Sequence, residues 1–221
     1  MGRRSGEAKA FRNLEMKTVV LLSGGIDSVA LAEREYQSGR LVGTIFVDMY
    51  HPASVPESYA AFQFHARTKV PHKVVHVSGL DLGDMASAKN AGVVPSRNLV
   101  LLSIASNVAA SLGGDMMLIG ATQNDDADYI DCREESLQQA SSAFVAMGGL
   151  PIHAPFVKKT KAQVIDIAIS LGLSEKDAWS CYRKGPMPCG SCASCRDASK
   201  AWSSASARLA VETLYGKSTA S

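Results

Sequence analysis

No stretch of the 221-residue chain reaches the roughly 18 consecutive apolar residues that a membrane-spanning helix requires, and the first residues lack the apolar core of a secretion signal. Charge of one sign is scarce as well. Against 21 acidic residues stand 23 basic ones, and the resulting net charge of +2 is too small to argue by itself for a nucleic-acid groove. Cysteines are few and odd in number, five in all, and four of them fall within 15 residues, which excludes an ordinary disulfide framework. Together these absences lead to the expectation of a reduced, cytoplasmic setting. What is present is ordinary for a globular chain: 46% apolar residues, 18 glycines and 8 prolines, with enough length to bury a sizeable core.

The small net charge hides an uneven distribution. Residues 1–17 carry +3, residues 18–175 carry −5 and residues 176–221 carry +4. Residues 1–16 are small, polar and basic without a sustained period, and read as a flexible leader. From Thr18 short β-branched runs alternate with amphipathic stretches. Thr18 to Leu22, Leu41 to Val47, Lys73 to Val77 and Met116 to Ile119 read as strands. Val29 to Gln37, Glu57 to Thr68, Asn98 to Leu112, Glu134 to Met147 and Thr160 to Leu171 read as helices, the last opened by Thr160 as N-cap and closed by Gly172. This alternation predicts an α/β fold, a doubly wound parallel sheet of Rossmann-like type over residues 17–175. Residues 176–221 change to Cys, Gly, Pro and Lys followed by a terminal helix near Ser194 to Tyr215. They read as a small metal-binding appendage, because about 45 residues cannot bury a self-sufficient core unaided.

Between the first strand and first helix lies Ser23-Gly24-Gly25-Ile26-Asp27-Ser28. Two glycines let the backbone approach an anion closely, the helix N-terminus points N–H groups at it, and two hydroxyls add donors, so a phosphate fits. The loop lacks the Gly-Lys-Ser/Thr step of the Walker motif and the third glycine of the dinucleotide fingerprint. It resembles the Ser-Gly-Gly-x-Asp-Ser signature of the ATP pyrophosphatases, a resemblance that implies the adenine nucleotide alpha hydrolase-like fold and transfer of AMP with release of pyrophosphate. Asp27 suits either Mg²⁺ ligation or helix capping.

Cys181, Cys189, Cys192 and Cys195 follow a C-x7-C-x2-C-x2-C spacing. Four soft thiolates on tight turns suit tetrahedral Zn²⁺, one per chain, in a closed and hence structural site. An iron–sulfur cluster is the competing occupant, although the C-x3-C-P step common in ferredoxins is missing. No interleaved aromatic and basic residues surround the cysteines, so a nucleic-acid-binding ribbon is disfavoured.

Taken with the stretch between them, the two motifs resemble the 7-cyano-7-deazaguanine synthase (QueC) family. The resemblance is carried by Val94-Pro95-Ser96-Arg97-Asn98, Tyr129-Ile130-Asp131-Cys132-Arg133, Thr160-Lys161, Trp179-Ser180-Cys181-Tyr182 and Pro188-Cys189-Gly190-Ser191-Cys192-Ala193-Ser194-Cys195, in that order over Lys17 to about Trp202. It implies conversion of 7-carboxy-7-deazaguanine and ammonia to the nitrile through adenylated intermediates and an amide, with ATP and Mg²⁺, in a homodimer; the −5 charge of residues 18–175 argues separately against direct contact with nucleic acid. It implies a nucleotide-binding segment of Leu22, Ser23, Gly24, Gly25, Ile26, Asp27, Ser28, Val29, Ala30, Leu31 and Ala32. Asp27, Lys161, Arg97, Asp131 and Arg133 are the expected catalytic residues, with Tyr129 beside the deazaguanine. Asp131 with Arg133 also suits a structural ion pair, and Cys132 a small buried residue. The chain departs from the family pattern after the second strand, where Asp48-Met49-Tyr50-His51-Pro52 replaces Asp-Tyr-Gly-Gln-Arg-His, and at Ile130, where the family has proline. A relative that stops at the amide or uses another carboxylate, a tRNA-modifying ATP pyrophosphatase and a non-enzymatic zinc adaptor are the alternative readings.

Overall fold

The computed structural model describes residues 16–80, 96–123, 129–183 and 185–215, with side chains to 205. Residues 1–15 of the expected leader, the Val94-Pro95 step and the last residues lie outside them. Five strands, β1 (Thr18–Leu21), β2 (Leu41–Asp48), β3 (His72–His76), β4 (Met116–Ile119) and β5 (Ile152–His153), form one sheet in the order β3-β2-β1-β4-β5. Every neighbouring pair is parallel. Among the described residues lie the helices α1 (Ile26–Gln37), α2 (Ser54–Thr68), α3 (Arg97–Ser111), α4 (Glu134–Ala146), α5 (Lys161–Ser170) and α6 (Ala193–Tyr215). Four strands coincide with the expected runs. The two-residue β5 was not expected, because so short a segment carries no period.

Strand alternation explains why both faces are covered. On β1 and the residue after it, Val20 and Leu22 point to one face, where they pack with α1, α2, α5 and α6, while Val19 and Leu21 point to the other, against α3 and α4. On β4, Leu118 joins the first cluster and Met117 and Ile119 the second. The sheet is therefore doubly wound, as the sequence predicts. Helix α6 does not stand apart: Ala201 and Ala205 lie in the same cluster as Val20 and Leu31. Among the described residues no helix is long and apolar enough to cross a membrane.

Local chemistry fixes the element ends that matter for the site. Thr160 caps α5 through a reciprocal capping box, its hydroxyl accepting from the Gln163 N–H and its own N–H donating to the Gln163 side chain. Helix α1 begins at Ile26, three residues before the expected Val29, because extended Gly25 serves as its N-cap. Asp27 is thus placed in the first turn of the helix. At the far end of α1, Glu35 is 1% exposed and accepts from Arg34 at 2.8 and 3.1 Å and from Arg40 at 2.9 and 3.0 Å. Burial pushes its carboxyl up, but the bonds from Arg40 and Arg34 outweigh burial and hold it below the usual glutamate range.

Arg40→Ala is expected to cost about 2 kcal/mol at pH 7 by removing two charged hydrogen bonds from a buried carboxylate. Because folding lowers the Glu35 pKa, this stabilisation is present above the unfolded value and lost as pH falls through the folded one. Urea midpoints of the variant and the parent should therefore converge in acid.

Candidate active site

The order of the sheet reverses between β1 and β4, and ligands of such sheets bind beyond the strand ends at that point. A pocket of about 230 Å³ opens there. Its floor is the glycine loop and the end of β4, through Ser23, Gly25, Asp27, Ser28, Gly120 and Ala121, and its walls carry Met49, His51, Glu57, Arg97, Asn98 and Tyr182.

The loop is held from three sides. Gly24 has φ +80°, and a Cβ on it would fall 2.2 Å from the Glu57 carbonyl oxygen in the first turns of α2, so no other residue fits. The Gly24 carbonyl accepts from the Trp179 N–H at 2.8 Å, which ties the loop to the cysteine-bearing segment. At the end of β4, a Cβ on Gly120 would fall 2.8 Å from the backbone nitrogen of Ser28. Within the loop, the Ser23 and Ser28 hydroxyls lie 3.1 Å apart and Ser28 donates to the Gly25 carbonyl at 2.9 Å. The first helical bond runs from Val29 N–H to Gly25, so the turn before it directs N–H groups out of the helix end.

Lys161, in the first turn of α5, donates to the Asp27 carboxylate across 134 residues. The two expected residues are therefore brought together, cation beside anion, at the edge of the loop. Leu22, Ile26, Val29, Ala30, Leu31 and Ala32 are placed differently: they are at most 3% exposed, and their side chains fill the core. Only their backbone is left to a ligand. Ser23, Gly25, Asp27 and Ser28 reach the pocket.

The segment around Asp131 does a structural task the sequence reading did not foresee. Ser96, at the N-cap of α3, is left-handed at φ 58° and its side chain caps nothing. Asp131 supplies the cap from 33 residues away, accepting from the Asn98 N–H at 2.8 Å. The Asn98 amide in turn donates to the Asp131 carbonyl at 3.3 Å and to Cys132 Sγ at 3.1 Å. Cys132 is buried against the pocket. Arg97 stacks its guanidinium 5.4 Å from the Tyr129 ring centre and lines the pocket, whereas Arg133 is exposed at the N-cap of α4 and does not line it.

Sequence reasoning missed two pocket residues. His51 Nδ1 accepts from the Ala53 N–H at 3.2 Å, which puts the ring proton on Nε2, 3.0 Å from a Glu57 carboxylate oxygen. Their only sequence signal is a His and a Glu flanking a helix start in a segment that departs from the expected pattern.

The sulfurs of Cys181, Cys189, Cys192 and Cys195 lie within 4.8 Å of one another and form a group able to hold a metal ion. Backbone N–H groups already point at three of them: Arg183 and Cys189 donate to Cys181, Cys192 to Cys189 and Cys195 to Cys192, at 3.3 to 3.4 Å. N–H and hydroxyl donation from Ser191 brings the Cys189 thiol down to about 5, whereas burial pushes Cys195 up. Trp179 Nε1 donates to the Cys181 carbonyl at 2.7 Å, and Tyr182, next along the chain, enters the pocket. The cysteine segment thus supplies part of the pocket wall.

The family model described as "Queuosine biosynthesis protein QueC" matches residues 17–206. A 7-cyano-7-deazaguanine synthase from Methanoregula boonei is 31% identical over 89% of this chain and 99% of its own length. One from Pseudoalteromonas translucida is 29% identical over 83% of this chain and 92% of its own. The solved structure of NMN synthetase from Francisella tularensis overlays on 93% of this chain and 88% of its own with a TM-score of 0.49 at 12% identity.

Gly120→Ala places a methyl against the backbone of Asp27 and Ser28 and is expected to displace the first turn of α1. Thermal unfolding followed by circular dichroism should show the variant folded but less stable by about 1–3 kcal/mol.

Proposed function

The chain belongs to the QueC family, and on that premise we propose that it is an ATP-dependent ligase that converts 7-carboxy-7-deazaguanine and ammonia to 7-cyano-7-deazaguanine through an amide. The observation that carries the reading is the clamped Ser23 to Ser28 loop with the Asp27–Lys161 pair at its edge, opening on a pocket at the switch point of the sheet. In this reading the loop N–H groups and the Ser23 and Ser28 hydroxyls hold the β- and γ-phosphates of ATP. Lys161 exchanges part of its contact with Asp27 for phosphate oxygen, one anion replacing another beside its ammonium group.

The substrate carboxylate attacks the α-phosphorus and pyrophosphate leaves, giving an acyl adenylate. Ammonia displaces AMP to form the amide. A second adenylation, on the amide oxygen, followed by loss of a proton from nitrogen and of AMP, gives the nitrile. Each activation converts a poor leaving group into AMP, and positioning with charge neutralisation supplies most of the catalysis. Asp27 and the neighbouring hydroxyls are hard oxygen donors suited to Mg²⁺, which neutralises phosphate charge when bound. Arg97 and Asn98 face the substrate from α3, and Asp131 acts through them by fixing the N-terminus of that helix.

The cysteine set fits Zn²⁺ better than an iron–sulfur cluster. Four sulfurs at about 2.3 Å from one ion stand about 3.8 Å apart, close to the 4.0 Å between Cys189 and Cys195. A cluster of several irons would need its ligands spread more widely. Bound there, zinc supplies a rigid knot and no reaction step. A cytoplasmic homodimer without direct nucleic-acid contact completes the reading.

With ATP, ammonium and 7-carboxy-7-deazaguanine, the chain is expected to release AMP and pyrophosphate, and mass spectrometry is expected to find the nitrile. AMP release that ignores the acid overturns the reading, and an end product at the amide mass restricts it to the first half. Elemental analysis should find about one zinc per chain, falling well below half in Cys189→Ser.

A further inference from the structure

We propose that Glu57, oriented by His51, is the group that binds the incoming ammonium ion and takes its proton as nitrogen attacks the activated carbonyl; this rests on the amidation reading above. Near neutral pH the supplied nitrogen is mostly ammonium, which has no lone pair to attack with. The site must therefore hold a cation and relieve it of a proton beside the acyl adenylate, a task for a carboxylate within the pocket.

Glu57 meets the requirements of place, charge and orientation. It lines the pocket from the start of α2, and its backbone carbonyl is the atom packed against Gly24, so its position is fixed relative to the phosphate-binding loop. Its side chain is 17% exposed and that of His51 11%, shielded but open to a small ligand. The charged groups around it are otherwise engaged: Lys161 is on Asp27, and Arg97 is stacked on Tyr129. Among the described residues the partner of Glu57 is His51, with its proton on Nε2, and no lysine or arginine pairs with it. A hydrogen bond from the His51 ring N–H orients one carboxylate oxygen, and with no lysine or arginine pairing with it among the described residues the group remains able to take a small cation.

The step balances. Ammonium gives one proton to Glu57, the freed lone pair forms the C–N bond, and the C–O bond to AMP breaks with its electrons on the phosphate oxygen. The second nitrogen proton passes to solvent as the tetrahedral species collapses to the amide and AMP, and Glu57 then returns the first proton to solvent. His51 is a positioning residue in this scheme.

The test compares nucleophiles in the full chain. Hydroxylamine is largely uncharged near neutral pH and needs no base to expose its lone pair. In Glu57→Gln, product formation with ammonium is expected to fall about 100-fold or more, while formation of the hydroxamate with hydroxylamine falls less than about fivefold. Glu57→Asp should recover the ammonium rate to within about tenfold of the parent. Equal losses with both nucleophiles in Glu57→Gln would place Glu57 in ATP binding or in folding, and overturn the assignment; so would parental kinetics with ammonium. A parent chain that releases no pyrophosphate with the acid overturns the amidation reading and this assignment with it, whereas a competent parent with a nucleophile-blind variant overturns this assignment alone.

Discussion

The position of the glycine loop is the constraint on which the rest of the site depends. A loop of small residues after a buried strand is conformationally free, and an anion site needs its N–H groups fixed before the ligand arrives. Here the freedom is removed by contact. Helix α2 occupies the space a Gly24 side chain would need, the first turn of α1 occupies the space a Gly120 side chain would need, and the Trp179 N–H takes the Gly24 carbonyl. Three parts of the chain far apart in sequence thus converge on one carbonyl and two missing side chains. The glycines are required by these close approaches as much as by backbone angle.

The same convergence brings unlike charges to one place. Asp27 follows from the register of α1, Lys161 from the capping box that starts α5, and Glu57 from the start of α2. Each carboxylate has a different companion: Asp27 has an ammonium group and Glu57 an imidazole N–H. In the proposed reading this division leaves Glu57, which no lysine or arginine pairs with among the described residues, as the carboxylate for a small cation, while Asp27 keeps its lysine until phosphate and Mg²⁺ take up the two charges.

What could be read from the sequence was whatever is local. The β1 run, the loop behind it, the Thr160 cap and the cysteine spacing each lie within a few residues, and the structure places each where its pattern implies. The extent of the nucleotide segment was less legible: a list running from Leu22 to Ala32 cannot distinguish loop backbone from helix side chains, and burial assigns Val29 to Ala32 to the core. Asp131 was legible as part of a motif but not as a helix cap, because its partner is 33 residues away and Ser96, the residue a capping rule would select, is left-handed with no side-chain bond. The His51–Glu57 contact was illegible for a related reason, since it joins a loop to a helix through a turn whose shape is set by packing.

The cysteine segment shows how a short appendage can shape a site it does not chemically enter. About 45 residues cannot bury a core of their own, and this segment draws order from two sources. One is the cysteine set, with backbone N–H groups already directed at the sulfurs. The other is α6, which starts between Cys192 and Cys195 and carries Ala201 and Ala205 into the main core. From Cys195 to Ala205 the helix runs ten residues, about 15 Å at 1.5 Å per residue, so a rigid rod joins the metal-capable knot to the interior packed on β1. The knot is then fixed at both ends, by that rod and by the bond from Trp179 to Gly24. Tyr182, one residue beyond Cys181, is held against the pocket between these two anchors. A metal at the knot would therefore stabilise the wall of the pocket and the carbonyl of the loop together, although a closed set of four thiolates offers it no open coordination position.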